Sequence, residues 1–320
     1  MNILITSASR KVNLIRAFQQ ALAQEGEGKV IAVDISPFAP ALYFADEHYL
    51  VPPSNKPEFL TIMLDLCKKL RIRLLIPTRD EELPFFAEHK DEFADVGTFV
   101  MVPDPDVVRV CQDKKLFIEF CQEKGFAIPE SYDYNKSKFP LFVKPRYGKG
   151  SRQAIRVNSQ EELKILIKQI PDVIIQEFIQ APEYTIDLFA DFSGRVISVV
   201  PRERIYIFGG ESFVSKTTKN SVLIQEAIRL ARELRLIGHN TIQCFLDKGI
   251  VKFIEVNPRF GGAAHLGFAA GAFTPLFLIK LLKGERLKPM IGEFKDNYVM
   301  LRYTEDLFLD AKSLTKKEFL

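Results

Sequence analysis

Phe253-Ile254-Glu255-Val256-Asn257-Pro258-Arg259-Phe260-Gly261-Gly262 is the stretch on which the reading of this chain turns. Strand alternation predicts Glu255 and Asn257 on one face and Ile254 and Val256 on the other. A carboxylate beside an amide oxygen suits a hard divalent cation, which prefers oxygen ligands. Residues 241–246 read as the preceding strand, joined through the tight turn Asp247-Lys248-Gly249, so Gln243 can bring a third oxygen to the same face. Pro258 ends the strand and leaves Arg259 at its tip, where a guanidinium can reach a transferring phosphoryl group. The competing account is an ordinary hairpin with a polar solvent face. Glu-x-Asn-Pro-Arg is an unusual combination on a strand and weighs against it.

Upstream, Leu141-Phe142-Val143-Lys144-Pro145 opens into Arg146-Tyr147-Gly148-Lys149-Gly150-Ser151, and Ile155-Arg156-Val157 returns as a partner strand. A glycine loop between two strands is a hairpin and lacks the strand-to-helix context of a Walker or Rossmann turn. Such a hairpin can still fold over phosphates, because glycine lets backbone N–H groups approach closely, and Lys144 would add an ammonium. Gln176-Glu177-Phe178-Ile179 can present backbone groups to an adenine edge, with Glu183 accepting from ribose hydroxyls. An edge strand with solvated glutamates is the alternative.

The first hundred residues alternate apolar runs (3–6, 30–34, 74–77 and 98–102) with segments of helical spacing (12–22 and 58–70). That pattern predicts a parallel sheet covered on both faces, with ligands at the strand C-terminal ends. Ser7, Arg10, Asp34 and Arg79 are the candidates there, helix capping being the rival role. Pro103-Asp104-Pro105-Asp106 marks a boundary, after which one helix carrying Asp113-Lys114-Lys115 is expected to run to Gly125. Arg202, Arg204 and His265 are grouped with Arg259 as a possible anionic-substrate pocket. His265, standing alone, also fits a structural role.

The chain has 320 residues, 47% hydrophobic and 27% charged, with a net charge of +3. It can bury a substantial core, and nothing in it tracks a nucleic-acid backbone. The four cysteines (Cys67, Cys111, Cys121 and Cys244) are scattered, which points away from zinc or disulfides and toward a reducing compartment. No apolar stretch approaches about 20 residues and the N-terminal run is short for a signal peptide, so a cytoplasmic protein is expected.

In this order, these pieces resemble the ATP-grasp superfamily, in particular one ATP-binding half of the carbamoyl-phosphate synthetase large subunit and single-copy carboxylate–amine ligases. The resemblance implies an α/β chain: a Rossmann-like pre-ATP-grasp domain over residues 1–108, then an α+β ATP-grasp domain over 109–320 with a lid at about 126–177. It implies ATP-binding roles for Lys114, Lys144, Gly148, Gly150 and Ser151, an adenine hinge at Glu177, Phe178 and Ile179, and a ribose carboxylate at Glu183. Gln243, Glu255 and Asn257 become Mg²⁺ ligands for two ions, with Mn²⁺ as a substitute, and Arg259 and Lys144 become catalytic. Small-molecule carboxylate and amine substrates follow, with neither nucleic acid nor membrane as partner. A homodimer is the base-rate expectation. The implied reaction is phosphorylation of a carboxylate to an acyl phosphate and transfer of the acyl group to an amine, without complete carbamoyl-phosphate synthesis. A regulatory nucleotide-binding protein, or bicarbonate or simple phosphoryl transfer on the same fold, stands as the alternative.

Overall fold

Glu82 is a buried carboxylate that ties together two strand ends, and it shows how the N-terminal sheet is built. The computed structural model describes residues 1–136, 138–148, 153–170 and 172–314. The chain begins with β1 (Asn2–Ile5), α1 (Val12–Glu25), β2 (Val30–Asp34), β3 (Glu47–Leu50), α2 (Phe59–Lys69), β4 (Ile72–Ile76), α3 (Leu83–Glu88), α4 (Lys90–Asp95) and β5 (Phe99–Val100). Among the described residues these strands form a parallel sheet in the order β3-β2-β1-β4-β5. The apolar runs at β1, β2 and β4 are buried because helices cover both faces. The edge strand β3, Glu47-His48-Tyr49-Leu50, carries no apolar run and escaped the sequence reading.

The strand order reverses between β1 and β4, so the loops after them lie side by side, the usual position of a ligand crevice in such sheets. Glu82 accepts hydrogen bonds there from Thr6 Oγ1 (2.7 Å), Ser7 Oγ (2.8 Å), Thr78 N (2.8 Å) and Arg79 N (3.1 Å). Burial pushes its carboxyl pKa up, and these donors pull the other way. Ser7 and Ser9 adopt left-handed φ values of 47° and 48°, a conformation that costs non-glycine residues free energy and persists where surroundings enforce it.

The single helix expected before Gly125 is two, α5 (Pro105–Gln112) and α6 (Lys114–Glu123), broken at an extended Asp113. The Asp113 carboxylate explains the break: it accepts from Lys115 N and Leu116 N and so caps α6. Next come β6 (Leu141–Pro145), β7 (Ile155–Val157), α7 (Gln160–Gln169) and β8 (Val173–Glu177), whose strands form an antiparallel sheet in the order β7-β6-β8.

The remaining elements are β9 (Glu183–Ala190), β10 (Val196–Phe208), β11 (Glu211–Thr217), α8 (Ser221–Glu233), β12 (Gly238–Asp247), β13 (Ile250–Asn257), α9 (His265–Ala270), α10 (Thr274–Leu282) and β14 (Val299–Leu301). Among the described residues the sheet order is β13-β12-β9-β10-β11-β14, antiparallel throughout. Strand β10 runs on beyond Arg202 to Phe208 and turns through Gly209 and Gly210 into β11. A shared apolar seam joins this sheet to the first, with Phe18 edge-on to Phe260 at 5.7 Å and Phe99 against Phe192 at 4.2 Å. Among the described residues no helix is long and apolar enough to cross a membrane. All four cysteines are buried and free.

Arg202, grouped by sequence with an anionic pocket, is sealed in this sheet at 2% exposure. Its Nε lies 2.8 Å from Asp187 Oδ2 and its Nη2 3.4 Å from Oδ1. On the neighbouring strands β9 and β10, Arg202 stands opposite Thr185 and Asp187 opposite Val200, so the two side chains meet on a diagonal, and Arg202 answers a buried carboxylate. Removing one partner of such a pair strands the other charge. Arg202→Ala is therefore expected to lower the unfolding free energy by about 3–5 kcal/mol, read from urea denaturation.

Candidate active site

Strands β12 and β13 pair Gln243 with Glu255, and then the register slips: Cys244 faces Phe253, leaving Ile254 as the extra residue of a β-bulge. A bulge breaks side-chain alternation. Ile254 thus joins Glu255 in lining one cavity, where strict alternation had put it on the opposite face. Asn257 sits opposite Thr241, and its Nδ2 donates to Glu255 Oε1 at 3.0 Å.

Two cavities meet beside Glu255. The first, a slot of about 170 Å³, has apolar walls from Phe142, Phe178, Phe245 and Ile254 and polar walls from Lys144, Glu183, Arg204 and Gln243. The second, about 1010 Å³, opens between the turn at Asp80, helix α5 and the strand end at Asn257 and Pro258. Lys114, Pro145, Gly148 and Glu255 border both. The shared wall therefore holds one carboxylate, an ammonium and the start of the glycine hairpin.

Each lysine has a defined seat. Lys114 Nζ donates to Gly148 O at 2.7 Å, and burial lowers its pKa. Lys144 is buried on β6, and that burial pushes its pKa down to about 8 although Glu255 pulls upward. An ammonium kept charged at this depth favours an anion alongside. The base of the hairpin is clamped by Asp113, which takes Arg146 Nε at 2.8 Å and Nη2 at 2.6 Å as well as Tyr147 OH at 3.0 Å. Arg146 holds the Asp113 carboxyl down at about 2. Gly148 has φ 130°, a conformation that favours glycine. Gly150 and Ser151 lie outside the described residues.

At the far end of the slot, Glu177 N and Phe178 N donate to Glu130 O (2.8 Å) and Pro140 O (3.4 Å), and Glu177 Oε1 takes Lys252 Nζ at 2.7 Å. The Glu177 side chain and the amides of Glu177 and Phe178 are thus spent on the protein, while Glu177, Phe178 and Ile179 line the slot. Arg156 lies over the Phe178 ring at 4.6 Å. Glu183 is held by Arg204 Nη1, and Arg204 also reaches Gln243 Oε1 (3.3 Å), Gly210 O (2.7 Å) and Ser212 Oγ (3.1 Å). Burial raises the Glu183 pKa and Arg204 opposes the rise.

The four residues grouped as an anionic pocket are therefore dispersed. Arg202 is in the core, and Arg204 belongs to the slot. His265 lines neither cavity, and burial beside Arg302 and Arg202 pushes its pKa down to about 4, so it is neutral near pH 7. Arg259 is clasped by Asp80. Ser7 serves Glu82, and Arg79, paired with Glu81 at 3.4 Å, lines neither cavity. The sequence reading missed Asp80, Lys11, Phe142 and Phe245. Strand periodicity could have offered the two phenylalanines, whereas Asp80 and Lys11 acquire meaning only when distant segments meet.

The fit of a divalent cation rests on the donor chemistry. Among the described residues no cluster of three His, Cys, Asp or Glu side chains is present. The neutral amide oxygens of Gln243 and Asn257 flank one carboxylate, a set that suits Mg²⁺ supplied largely with phosphate oxygens. Gln243 Oε1 keeps a second lone pair beyond the one facing Arg204, so the set fits.

Comparison with known proteins bears on the domains and the fold. Residues 111–263 match the ATP-grasp domain and residues 3–101 the PylC-like N-terminal domain. The chain thus carries an ATP-grasp domain preceded by a PylC-like N-terminal domain. Carbamoyl phosphate synthase large chains are relatives: that of Thermoanaerobacter sp. is 23% identical over 61% of this chain, and that of Methanocorpusculum labreanum 25% over 51%. The chain spans only about a fifth of those proteins, 20% and 18% of their lengths. Among solved structures, the L-amino acid ligase of Bacillus licheniformis superposes with a TM-score of 0.72 at 19% identity, covering 92% of this chain and 77% of that one. N5-carboxyaminoimidazole synthetase of Staphylococcus aureus gives 0.69 at 14%, covering 90% and 78%. The biotin carboxylase domain of Hydrogenobacter thermophilus 2-oxoglutarate carboxylase, in complex with MgADP and bicarbonate, gives 0.72 at 17%, covering 93% and 73%.

Lys11 yields a test of the charge balance around Arg259. Its Nζ donates to Ser7 O at 3.2 Å. Burial, reinforced by Arg259 and Arg79 and opposed by Glu82 and Asp34, pushes its pKa down to about 8. An unfolded lysine titrates near 10.4. Below pH 8 the ammonium is charged in both states and its burial costs stability in full. Between about pH 8 and 10.5 the folded state sheds the proton first, so the cost fades. Lys11→Met should exceed the wild type in unfolding free energy at pH 7, by up to roughly 3 kcal/mol. That gain should shrink toward pH 10.5 in urea titrations across the range.

Proposed function

We propose that the chain is an ATP- and Mg²⁺-dependent ligase that phosphorylates a small-molecule carboxylate and passes the acyl group to an amine. The observation that carries this reading is the common wall of the two cavities. Lys114, Gly148 and Glu255 stand where a narrow slot with aromatic and aliphatic walls meets a roomier chamber. A slot between aromatic and aliphatic side chains suits a purine, and the chamber suits an acceptor. The bond to be broken would lie between them.

In this reading the backbone from Glu177 to Ile179 meets the adenine edge, and the Glu183–Arg204 pair meets the ribose. Lys114 and Lys144 face the phosphates, with Gly148 beside them. Glu255, Asn257 and Gln243 would hold Mg²⁺, which when bound offsets the charge that develops on the transferring phosphoryl group. The carboxylate attacks in line, ADP leaves, and the acyl phosphate is consumed by an amine with release of phosphate. Burial of the site around Lys144 limits the water that would otherwise hydrolyse the acyl phosphate. The family resemblance supports the reaction class, and the identity of both substrates is left to experiment.

Phosphate release measured across a panel of carboxylates, bicarbonate among them, with and without amines, tests the proposal. Stimulation that requires both a carboxylate and an amine is the expected result; turnover with bicarbonate alone would move the assignment to the alternative. Glu255→Gln should reduce kcat in the active pairing by at least about a hundredfold, or roughly 3 kcal/mol of transition-state stabilisation. Wild-type turnover in that variant would remove Glu255 from the site.

A further inference from the structure

Arg259 does not approach the site alone. Its Nε lies 2.6 Å from Asp80 Oδ1 and its Nη2 2.6 Å from Asp80 Oδ2, with each side chain less than a fifth exposed. The two residues are 179 positions apart and come from different sheets. Asp80 stands just past β4, at the reversal of strand order, and it borders the larger cavity with Glu255 and Asn257. We infer that Asp80 is a positioning residue: the N-terminal sheet uses it to hold the guanidinium of Arg259 in the orientation required at the transferring phosphoryl group. The inference rests on the ligase reading above.

Guanidinium geometry supports this. A carboxylate on Nε and Nη2 occupies the side edge of the fork and leaves the end edge, formed by Nη1 and Nη2. One Nη1 hydrogen goes to Phe260 O at 3.2 Å. Arg259 itself lines neither cavity, though Asp80 and Pro258 border the larger one, and the hydrogens of Nη1 and Nη2 not taken by Phe260 O and Asp80 are those that would meet an oxyanion. Both anchors are themselves fixed. The backbone amides of Thr78 and Arg79, just before Asp80, donate to buried Glu82, and Gln112 Nε2 donates to Asp80 O. On the other side Thr241 Oγ1 donates to Arg259 O at 3.1 Å, and a Cβ at Gly261 would lie 2.7 Å from that hydroxyl. Lys11 is a like charge that opposes Arg259, and Asp80 is the carboxylate in direct contact with the guanidinium, Glu255 and Glu81 acting from farther away.

A purely structural ion pair between domains would produce the same contacts, so the experiment must separate the two. The probe is calorimetric binding of MgADP alone and of MgADP with aluminium fluoride, a stand-in for the transferring phosphoryl group. The wild type is expected to bind the fluoride complex at least tenfold more tightly than MgADP. Asp80→Asn should bind MgADP within about twofold of the wild type yet lose most of that enhancement, and Asp80→Glu should recover part of it. The double exchange Asp80→Arg with Arg259→Asp should recover thermal stability without recovering the enhancement, which guards against misreading a folding defect. Full enhancement in folded Asp80→Asn, or none in a wild type that binds MgADP, overturns the inference while leaving nucleotide binding intact. A wild type that does not bind MgADP overturns the ligase reading, and this inference with it.

Discussion

The pairing of β12 with β13 is the constraint from which the site follows. Gln243 and Glu255 share a register position, and the slip after them turns Ile254 into the same cavity. One irregular step thereby puts an apolar contact and a carboxylate next to each other on a single strand, which a regular pleat cannot do. Pro258 then releases the chain so that Arg259 meets the other sheet. Moving the bulge by one residue would redirect either the carboxylate or its apolar neighbour.

Charge is distributed around this strand with few loose ends. Arg202 answers Asp187, Arg204 answers Glu183, Arg146 answers Asp113, and Arg259 answers Asp80. Glu255 forms none of these ion pairs. It interacts electrostatically with Lys114, Lys144 and Arg259 from a distance, and burial lowers the pKa of both lysines. A buried ammonium without a contact ion pair is costly, and an arriving anion would relieve that cost. The polar economy of the fold thus leaves its unbalanced groups at the junction of the two cavities.

Much of this was legible in the sequence where a single segment carries its own signal. The apolar runs of β1, β2 and β4 mark buried parallel strands, and Phe253 to Gly262 marks the chemical strand. What escaped depended on meetings between distant segments. Asp113 reads as an ordinary helical residue until its side chain is seen to cap α6 and break the helix. Arg202 and Arg204 are two residues apart, yet one is sealed against Asp187 and the other reaches the slot, a difference set by neighbouring strands. Edge strand β3, paired only with β2, is Glu47-His48-Tyr49-Leu50, partly exposed throughout and without an apolar run to mark it. Asp80, in a run of acidic residues, has no distinguishing mark before Arg259 arrives from 179 positions away.

Asp113 has a mechanical consequence. The same carboxylate closes the N-terminus of α6 and grips Arg146 and Tyr147 at the foot of the glycine hairpin. Displacing Arg146 and Tyr147 would therefore cost their three hydrogen bonds to a carboxylate that is already committed to the helix. Residues 146–148 and Lys114, the first residue of that helix, are thereby tied to one mechanical unit, so a shift of either is felt by the other.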